Sequence, residues 1–426
     1  MTQPRFSDLF ATFLRIGVLS FGGPAAQIAL MHRVLVDERN WLTEKQYLDA
    51  LSFCMLLPGP EAMQLATYSG WRLRGVPGGI LAGLLFVIPG ALVIFALAAL
   101  YVAYGALPLV DTLFLGVKAA VLVIVLEALL KVSKRALKGP YYWVIAVLAF
   151  IGIFFLALPF PLIVIAAATI GALFARGAKG DALPVRRPWS QTVLISVVGL
   201  AVWLIPLAAL DVLAGQTILP QIGAFFSKLA VVSFGGAYAV LAYMAQDVIA
   251  EYVVTAFGWL TADEMLDSLG LAETTPGPLI LVTQFVGFVA GFRDGGYLMA
   301  TGAALVTLWV TFVPCFLWIF AGAPYIEWIA DQPRLRGALT AITAAVVGVI
   351  GNLSIWFGLN VLFDEVTRVT TGIWTLWVPD LTTLDWRAAG LTLFCTLLIL
   401  RLKMPLGWAL MTSALASVVI TAVTGF

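Results

Sequence analysis

The chain has 426 residues, 62% of them hydrophobic and 11% charged, with a formal net charge of +1 and a mean hydropathy of +1.02. Soluble domains carry about half apolar and about a quarter charged residues, so this is a membrane protein, and its near-neutral balance offers nothing to nucleic acid. Cys54, Cys315 and Cys395 lie in apolar surroundings without CxxC spacing and read as small buried hydrophobes, not as disulfide or metal ligands.

No cleavable leader is expected, because Met1 to Asp8 is polar and no small-residue cleavage site follows the first apolar stretch. Apolar runs predict spans at about 9–31, 48–70, 76–104, 108–130, 140–157 and 159–175. Pro140 and Pro159 suit the first turns of their helices, where a missing N–H is harmless. A basic, proline-punctuated linker follows with Arg176, Lys179, Arg186 and Arg187, then an unpaired span at about 191–213. The remaining spans fall at about 219–245, 265–291, 296–322, 336–362, 387–401 and 404–425. The expectation is an all-α polytopic membrane protein of about 13 spans. It divides into a first repeat at 1–175, a linker with one span at 176–218, and a second repeat at 219–426.

The repeats rest on paired motifs. Ser20-Phe21-Gly22-Gly23 returns as Ser233-Phe234-Gly235-Gly236, at an offset of 213. Trp41-Leu42-Thr43 returns as Trp259-Leu260-Thr261 and Pro58-Gly59-Pro60 as Pro276-Gly277-Pro278, both at 218. One five-residue insertion separates the two copies, which marks an internal duplication. Seven spans before the second copy give it the opposite orientation, as in many secondary transporters. Fifteen basic residues fall on the N-terminal side against six on the other, which puts the N-terminus in the cytoplasm.

Each motif breaks a helix inside an apolar stretch. Thr43-x-x-Gln46 and Thr261-x-x-Glu264 read as capping boxes that start helices running toward Leu57 and Thr275. Proline then stops each helix, glycine re-aims the chain, and a new half-helix starts after Gly23, Pro60, Gly236 and Pro278. A helix start carries unpaired N–H groups and roughly half a positive charge. Broken backbone at membrane depth must face protein or water, so four such starts brought together would form an anion site. A re-entrant course for the Pro-Gly-Pro segments would alter the span count.

Two cations support that reading. Arg15 and Lys228 each lie five residues before the motif serine, within apolar runs. A cation near mid-membrane costs about 2.5–3.5 kcal/mol even on lenient scales and usually faces a partner or cavity; snorkelling to the near interface is the plainer alternative. Pointing inward, the pair would suit a divalent oxyanion, with the hydroxyls of Ser20 and Ser233 as donors. Glu61 and Glu273 border the Pro-Gly-Pro breaks and are candidates for a coupling proton, though Glu61 equally favours the new helix start as a cap. Asp49 and Asp267 correspond and are expected near an interface. Lys118 and Glu127 share a span and require a local partner or a lumen. His32 borders a charged loop and reads as solvated. Gly79-x-x-x-Gly83 and Gly287-x-x-x-Gly291 allow close helix contacts inside the fold or in a homodimer.

There is no phosphate-binding GxxxxGK[ST] loop and no HExxH, and one histidine does not build the usual metal sites. Direct ATP drive, a resident metal or cofactor, and an enzymatic activity are therefore not expected.

The motif set as a whole resembles the chromate ion transporter family of bacteria and fungi, in its long two-domain form. The resemblance runs through Phe13-Leu14-Arg15 to Pro24, Trp41-Leu42, Leu56 to Glu61, Gly70-Trp71-Arg72, Gly78-Gly79 and Phe86 to Gly90. It continues in the second copy through Ser233 to Gly236 and Gly270 to Pro278, departing at Ala237, where the first copy has Pro24. It implies an inner-membrane secondary transporter that expels chromate, driven by the membrane potential or proton gradient. Two alternatives stay open at this point. Sulfate, or another oxyanion, shares the charge and tetrahedral shape and could be imported. A membrane-embedded enzyme or scaffold would require a catalytic dyad that the sequence does not supply.

Overall fold

The computed structural model describes residues 4–175, 189–234, 236–248, 258–326 and 332–424; Gly235 and the basic linker at 176–188 lie outside the described residues. Helix α1 (Phe6–Leu19) buries Leu9, Phe13, Ile16 and Gly17 along one face. It ends at Ser20, the chain turns through Gly22 (φ 85°) and Gly23 (φ 77°), and α2 (Gly23–His32) begins, prolonged by a π turn over Arg33–Glu38. α3 (Glu44–Cys54) starts on the expected capping box, with Thr43 and Gln46 exchanging bonds of 3.1 and 3.2 Å. It stops at Cys54, short of Leu57, because the Pro58 ring would collide with the carbonyl four residues back.

The first two expected spans need correction. α1 has 14 residues, about 21 Å of helix against a bilayer core of about 30 Å. Residues 4–8, 39–42 and 72–73 line one cavity, and Arg74 Nε donates to the Pro4 carbonyl at 2.6 Å. Both ends of 6–38, and both ends of 44–73, therefore lie on one side. These segments fold back as hairpins with tips at 20–23 and 58–60, where spans at 9–31 and 48–70 were expected.

Helix α4 (Glu61–Tyr104) is likewise not one rod. Arg74 (φ −140°, ψ 22°) and Gly75 (φ 67°, ψ −160°) reverse it, so 61–73 lies antiparallel to 76–104. Gly70 backs directly onto Gly78, and Thr67 onto Gly79 and Gly83. The second repeat copies this. α9 (Leu219–Val232) and α10 (Ala237–Val248) flank one tip. α11 (Ala262–Thr274) leads through the other to a 3-10 turn at Leu279–Leu281 and α12 (Val282–Gly322). Gly295 (φ −158°, ψ 28°) and Gly296 (φ 68°, ψ −160°) reverse α12 with nearly the same dihedrals. Gly287 then packs on Thr307 and Gly291 on Ala300, so both GxxxG stripes are used inside the fold. Ala237 opens α10 as sharply as Pro24 serves α2, because Gly236 takes φ 89°.

By contacts the chain forms two compact units, 1–99 with 176–237 and 275–336, and 100–175 with 238–274 and 337–426. Each draws on both repeats, so the repeat boundaries do not delimit compact bodies. In the first unit α8 (Trp189–Ala214) lies on α9 and α12 and buries only Trp203, as befits a helix facing lipid.

The second unit contains α5 (Pro108–Ala136), the hairpin of α6 (Pro140–Phe154) and α7 (Phe160–Phe174), and α13 (Pro333–Leu362). It ends with α14 (Trp386–Thr396) and α15 (Leu406–Thr424). α6 backs onto α13 at Gly348 and α7 at Gly337, while Ser413 and Ser417 of α15 donate to the carbonyls of Gly116 and Thr112 on α5, both at 2.6 Å. The last hairpin of each repeat thus packs on the long helix of the other. One element departs from an all-α chain. Strands β1 (Val366–Thr371) and β2 (Trp374–Pro379) pair antiparallel through the two-residue loop Gly372-Ile373, whose glycine takes φ 63° as the first position of a type II′ turn requires.

Among the described residues, three helices long and apolar enough to cross a membrane, within Glu61–Tyr104, α5 and α8, precede the second repeat.

Candidate functional site: the interlocked helix breaks

The breaks of the two repeats bond to each other, and both joints lie in the first compact unit. The Gly277 amide donates to the Ser20 carbonyl at 2.9 Å, and the Gly59 amide donates to the Ser233 carbonyl at 3.1 Å. Each Ser-Phe-Gly-Gly tip is therefore tied to the Pro-Gly-Pro tip of the opposite repeat. Each Pro-Gly-Pro tip also rests on the other repeat's crossing helix: Gly90 meets the Pro276 carbonyl, and Gly59 lies against Cys315.

Two glutamines lock these joints. Gln27, buried on α2, sends its amide nitrogen to the Gly277 carbonyl (2.6 Å) and the Ser20 carbonyl (3.3 Å). Gln64 sends its own to the Pro58 carbonyl at 2.6 Å. Two carbonyls facing Gln27 fix which way its amide points, since the flipped amide would set oxygen against oxygen.

The two kinds of break then differ in access. Gly59 and Gly277 are buried, with their amides engaged. At Gly23 and Gly236 a β-carbon would meet nothing within 4 Å, although both have positive φ (77° and 89°). Gly22, which precedes α2, and Pro278, which precedes the turn into α12, make no side-chain cap bond. An uncapped start leaves backbone donors for a ligand. The approachable backbone is that of Gly23 and Gly236.

The sequence profile described as Chromate transporter matches residues 7–172 and 220–420, one stretch for each repeat. The chain belongs to the chromate transporter family. It is 34% identical over 382 residues to the chromate transport protein of Pseudomonas aeruginosa, covering 86% of this chain and 84% of that one. It is 33% identical over 373 residues to the probable chromate transport protein of Synechococcus elongatus (86% and 88%), and 30% over 371 residues to the chromate transport protein of Cupriavidus metallidurans (86% and 87%). No solved structure matches it.

Within this family member the expected site residues fall into three groups. Ser20, Gly22, Gly23, Pro58, Gly59, Pro60, Ser233, Gly236, Pro276, Gly277 and Pro278 come together at the tips as described; Gly235 lies outside the described residues. The serines contribute carbonyls where donor hydroxyls were expected. Ser20 Oγ donates to the Ile16 carbonyl (2.6 Å) and Ser233 Oγ to that of Ala230 (3.1 Å), so both protons are committed to their own helices.

Arg15 and Lys228 form the second group, and the structure does not bring them to the tips. The Arg15 side chain is 49% exposed and its guanidinium bonds Glu38 at 2.9 Å; Lys228 holds the same exposed place on α9. Their buried neighbours, Ile16 and Gly17 or Leu229 and Ala230, take the inward face of the helix. The third group is acidic. Glu61 opens α4 half-buried, and Glu273 is buried with its carboxylate accepting the Tyr238 hydroxyl at 2.7 Å.

Sequence reading missed Gln27 and Gln64, although each is a lone amide in an apolar stretch. It also left Lys118 without its partners, the α11 carboxylates of Asp263 and Asp267. Asp263 precedes Asp267 by four residues, one turn of the same helix face, which was the available signal.

Proposed function

We propose that this chain is a secondary active carrier that exports chromate, a tetrahedral divalent oxyanion, from the cytoplasm across the inner membrane and so confers chromate resistance. The observation that carries the reading is the pair of reciprocal joints, which gathers helix starts from two inverted repeats in one unit. Backbone donors of the Gly22-Gly23 and Gly236 starts would hold the anion's oxygens, aided by the positive ends of α2 and α10. Gly59, Gly277 and their flanking prolines keep those starts in place.

Arg15 and Lys228 sit about 7.5 Å along the helix from their tips and supply positive potential for approach instead of direct contact. The matched reversals at Gly75 and Gly296 are natural hinges for rocking one repeat against the other. The excess of basic residues on the N-terminal side supports a cytoplasmic N-terminus. The carrier performs no bond chemistry, and Glu61 and Glu273, which border the Pro-Gly-Pro breaks in sequence, are candidates for proton coupling.

The test is uptake of labelled chromate into proteoliposomes holding the purified chain, with sulfate as competitor, and into inverted vesicles to fix direction. Saturable chromate uptake that excess sulfate displaces poorly is expected. Sulfate uptake with indifferent chromate would reassign the substrate, and absence of flux for both would refute the carrier.

A further inference from the structure

A buried ionic cluster in the second compact unit takes no part in the breaks. Lys118, in the apolar middle of α5, has 10% of its side chain exposed, and its ammonium stands 3.0 Å from Asp263 Oδ1 and 3.5 Å from Asp267 Oδ1. Asp267 is 8% exposed. Its Oδ2 accepts the Tyr101 hydroxyl at 2.7 Å, while its buried Oδ1 has no hydrogen-bond partner. Asp263 is 72% exposed and opens the cluster to water. Glu264 on α11 and Asp111 on α5 act on the cluster from farther off. Arg387, at the start of α14, acts on Asp111, and α15 brings no ionisable side chain.

Asp263 stands in water and can balance Lys118 at little desolvation cost, so the carboxylate of Asp267 is a second, buried acceptor on one ammonium. A purely structural ion pair would need one aspartate. The second has a use if Asp267 takes up and releases a proton. With the proton on Oδ1, Lys118 keeps Asp263 as its counter-charge. With Asp267 ionised, the ammonium is shared between the two. The Tyr101 bond to Oδ2 survives both states, so neither leaves a buried charge alone.

We propose that Asp267 is a proton-carrying site, held by Lys118 and Tyr101, that couples proton movement to anion transport. This rests on the carrier reading above. α11 runs from Asp267 directly into Pro276-Gly277-Pro278, the break that bonds Ser20 and Gln27. The corresponding residue of the first repeat, Asp49, is exposed.

The test uses the full-length chain in proteoliposomes with two readouts, chromate counterflow without an ion gradient and chromate accumulation driven by an imposed pH gradient. Asp267→Asn should keep counterflow within about three-fold of the parent and lose about ten-fold or more of the driven accumulation. Asp267→Glu should restore the drive with a displaced pH midpoint. No counterflow in the unmutated chain would refute the carrier reading itself. With counterflow present, three results would overturn the proton site: no pH-driven accumulation in the parent, driven accumulation intact in Asp267→Asn, or equal loss of both readouts in folded protein. If Asp267→Asn does not fold, Tyr101→Phe decides the matter, because it removes one hydroxyl. A shifted pH profile supports the site and an unchanged one overturns it.

Discussion

A β-carbon added at Gly59 would lie 2.7 Å from Cys315 Sγ and 2.9 Å from Gln64 Nε2, and at Gly277 3.2 Å from Leu281 Cδ1; at Gly23 and Gly236 it would meet nothing within 4 Å. All four residues have positive φ and all four lie at a break between two helices. Packing separates them into two trades. The Pro-Gly-Pro breaks are buttressed and their amides are committed, so they hold the joint. The Gly-Gly breaks hold a left-handed backbone that glycine adopts without steric cost and are open at Gly23 and Gly236, which makes them the seat for the anion under the proposed function.

The largest effect expected from this difference is at Gly59. Gly59→Ala adds a collision to left-handed strain and should destabilise the chain by about 3 kcal/mol, read as a lower melting temperature and poor recovery in detergent. Gly23→Ala adds only the strain, about 1–2 kcal/mol, and should give folded protein with impaired chromate uptake. Equal destabilisation at both positions would erase the distinction. Next comes Gln27→Val, which gives the first repeat the residue found at the matching Val240 of the second. It strands the buried Gly277 carbonyl and should cost about 1–3 kcal/mol in a denaturant or thermal titration. A neutral result would mean that the joint is held without Gln27.

Ser20→Ala should do less. The hydroxyl bonds its own helix, so uptake should stay within about two-fold and stability within about 1 kcal/mol. A large loss of uptake would return the hydroxyl to the substrate.

The smallest effect concerns pH. His32, at the charged end of the first hairpin, bonds Glu44 (2.6 Å) and faces Asp37 (3.4 Å). The Glu44 hydrogen bond, outweighing the opposing effect of burial, and the charges of Glu44 and Asp37 raise the imidazole above its ordinary 6.5. The imidazolium therefore contributes stability that is fully present below about 6.5 and fades as pH rises through the higher folded-state value. His32→Ala should flatten the melting temperature between pH 6 and 8 relative to the parent. A steeper profile in the variant would contradict the sign.

Much of this was legible in the residues. The duplicated Ser-Phe-Gly-Gly and Pro-Gly-Pro motifs announced the four breaks, the capping boxes at Thr43 and Thr261 gave two helix starts, and the apolar runs gave the class and the crossings. The reversals at Gly75 and Gly296 were hidden because a turn between two apolar helices leaves hydropathy nearly unchanged. The sequence also does not say which way Arg15 faces. That depends on Ile16 and Gly17 winning the inward position by packing, a tertiary outcome. The β1–β2 hairpin is legible in Thr371-Gly372-Ile373 between alternating residues. Pairing between Gly59 and Ser233 is a contact over 174 positions that only the folded repeats bring about.

Hydrogen–deuterium exchange of the full-length chain, followed peptide by peptide with and without chromate, reaches all four breaks at once. Slowed exchange on chromate addition at 22–27 and 236–240, with the Gly59 and Gly277 amides already slow and unchanged, is the predicted result. Protection confined to 59–64 and 277–283, or no protection at any break, would contradict the assignment of the Gly-Gly tips as the anion's seat.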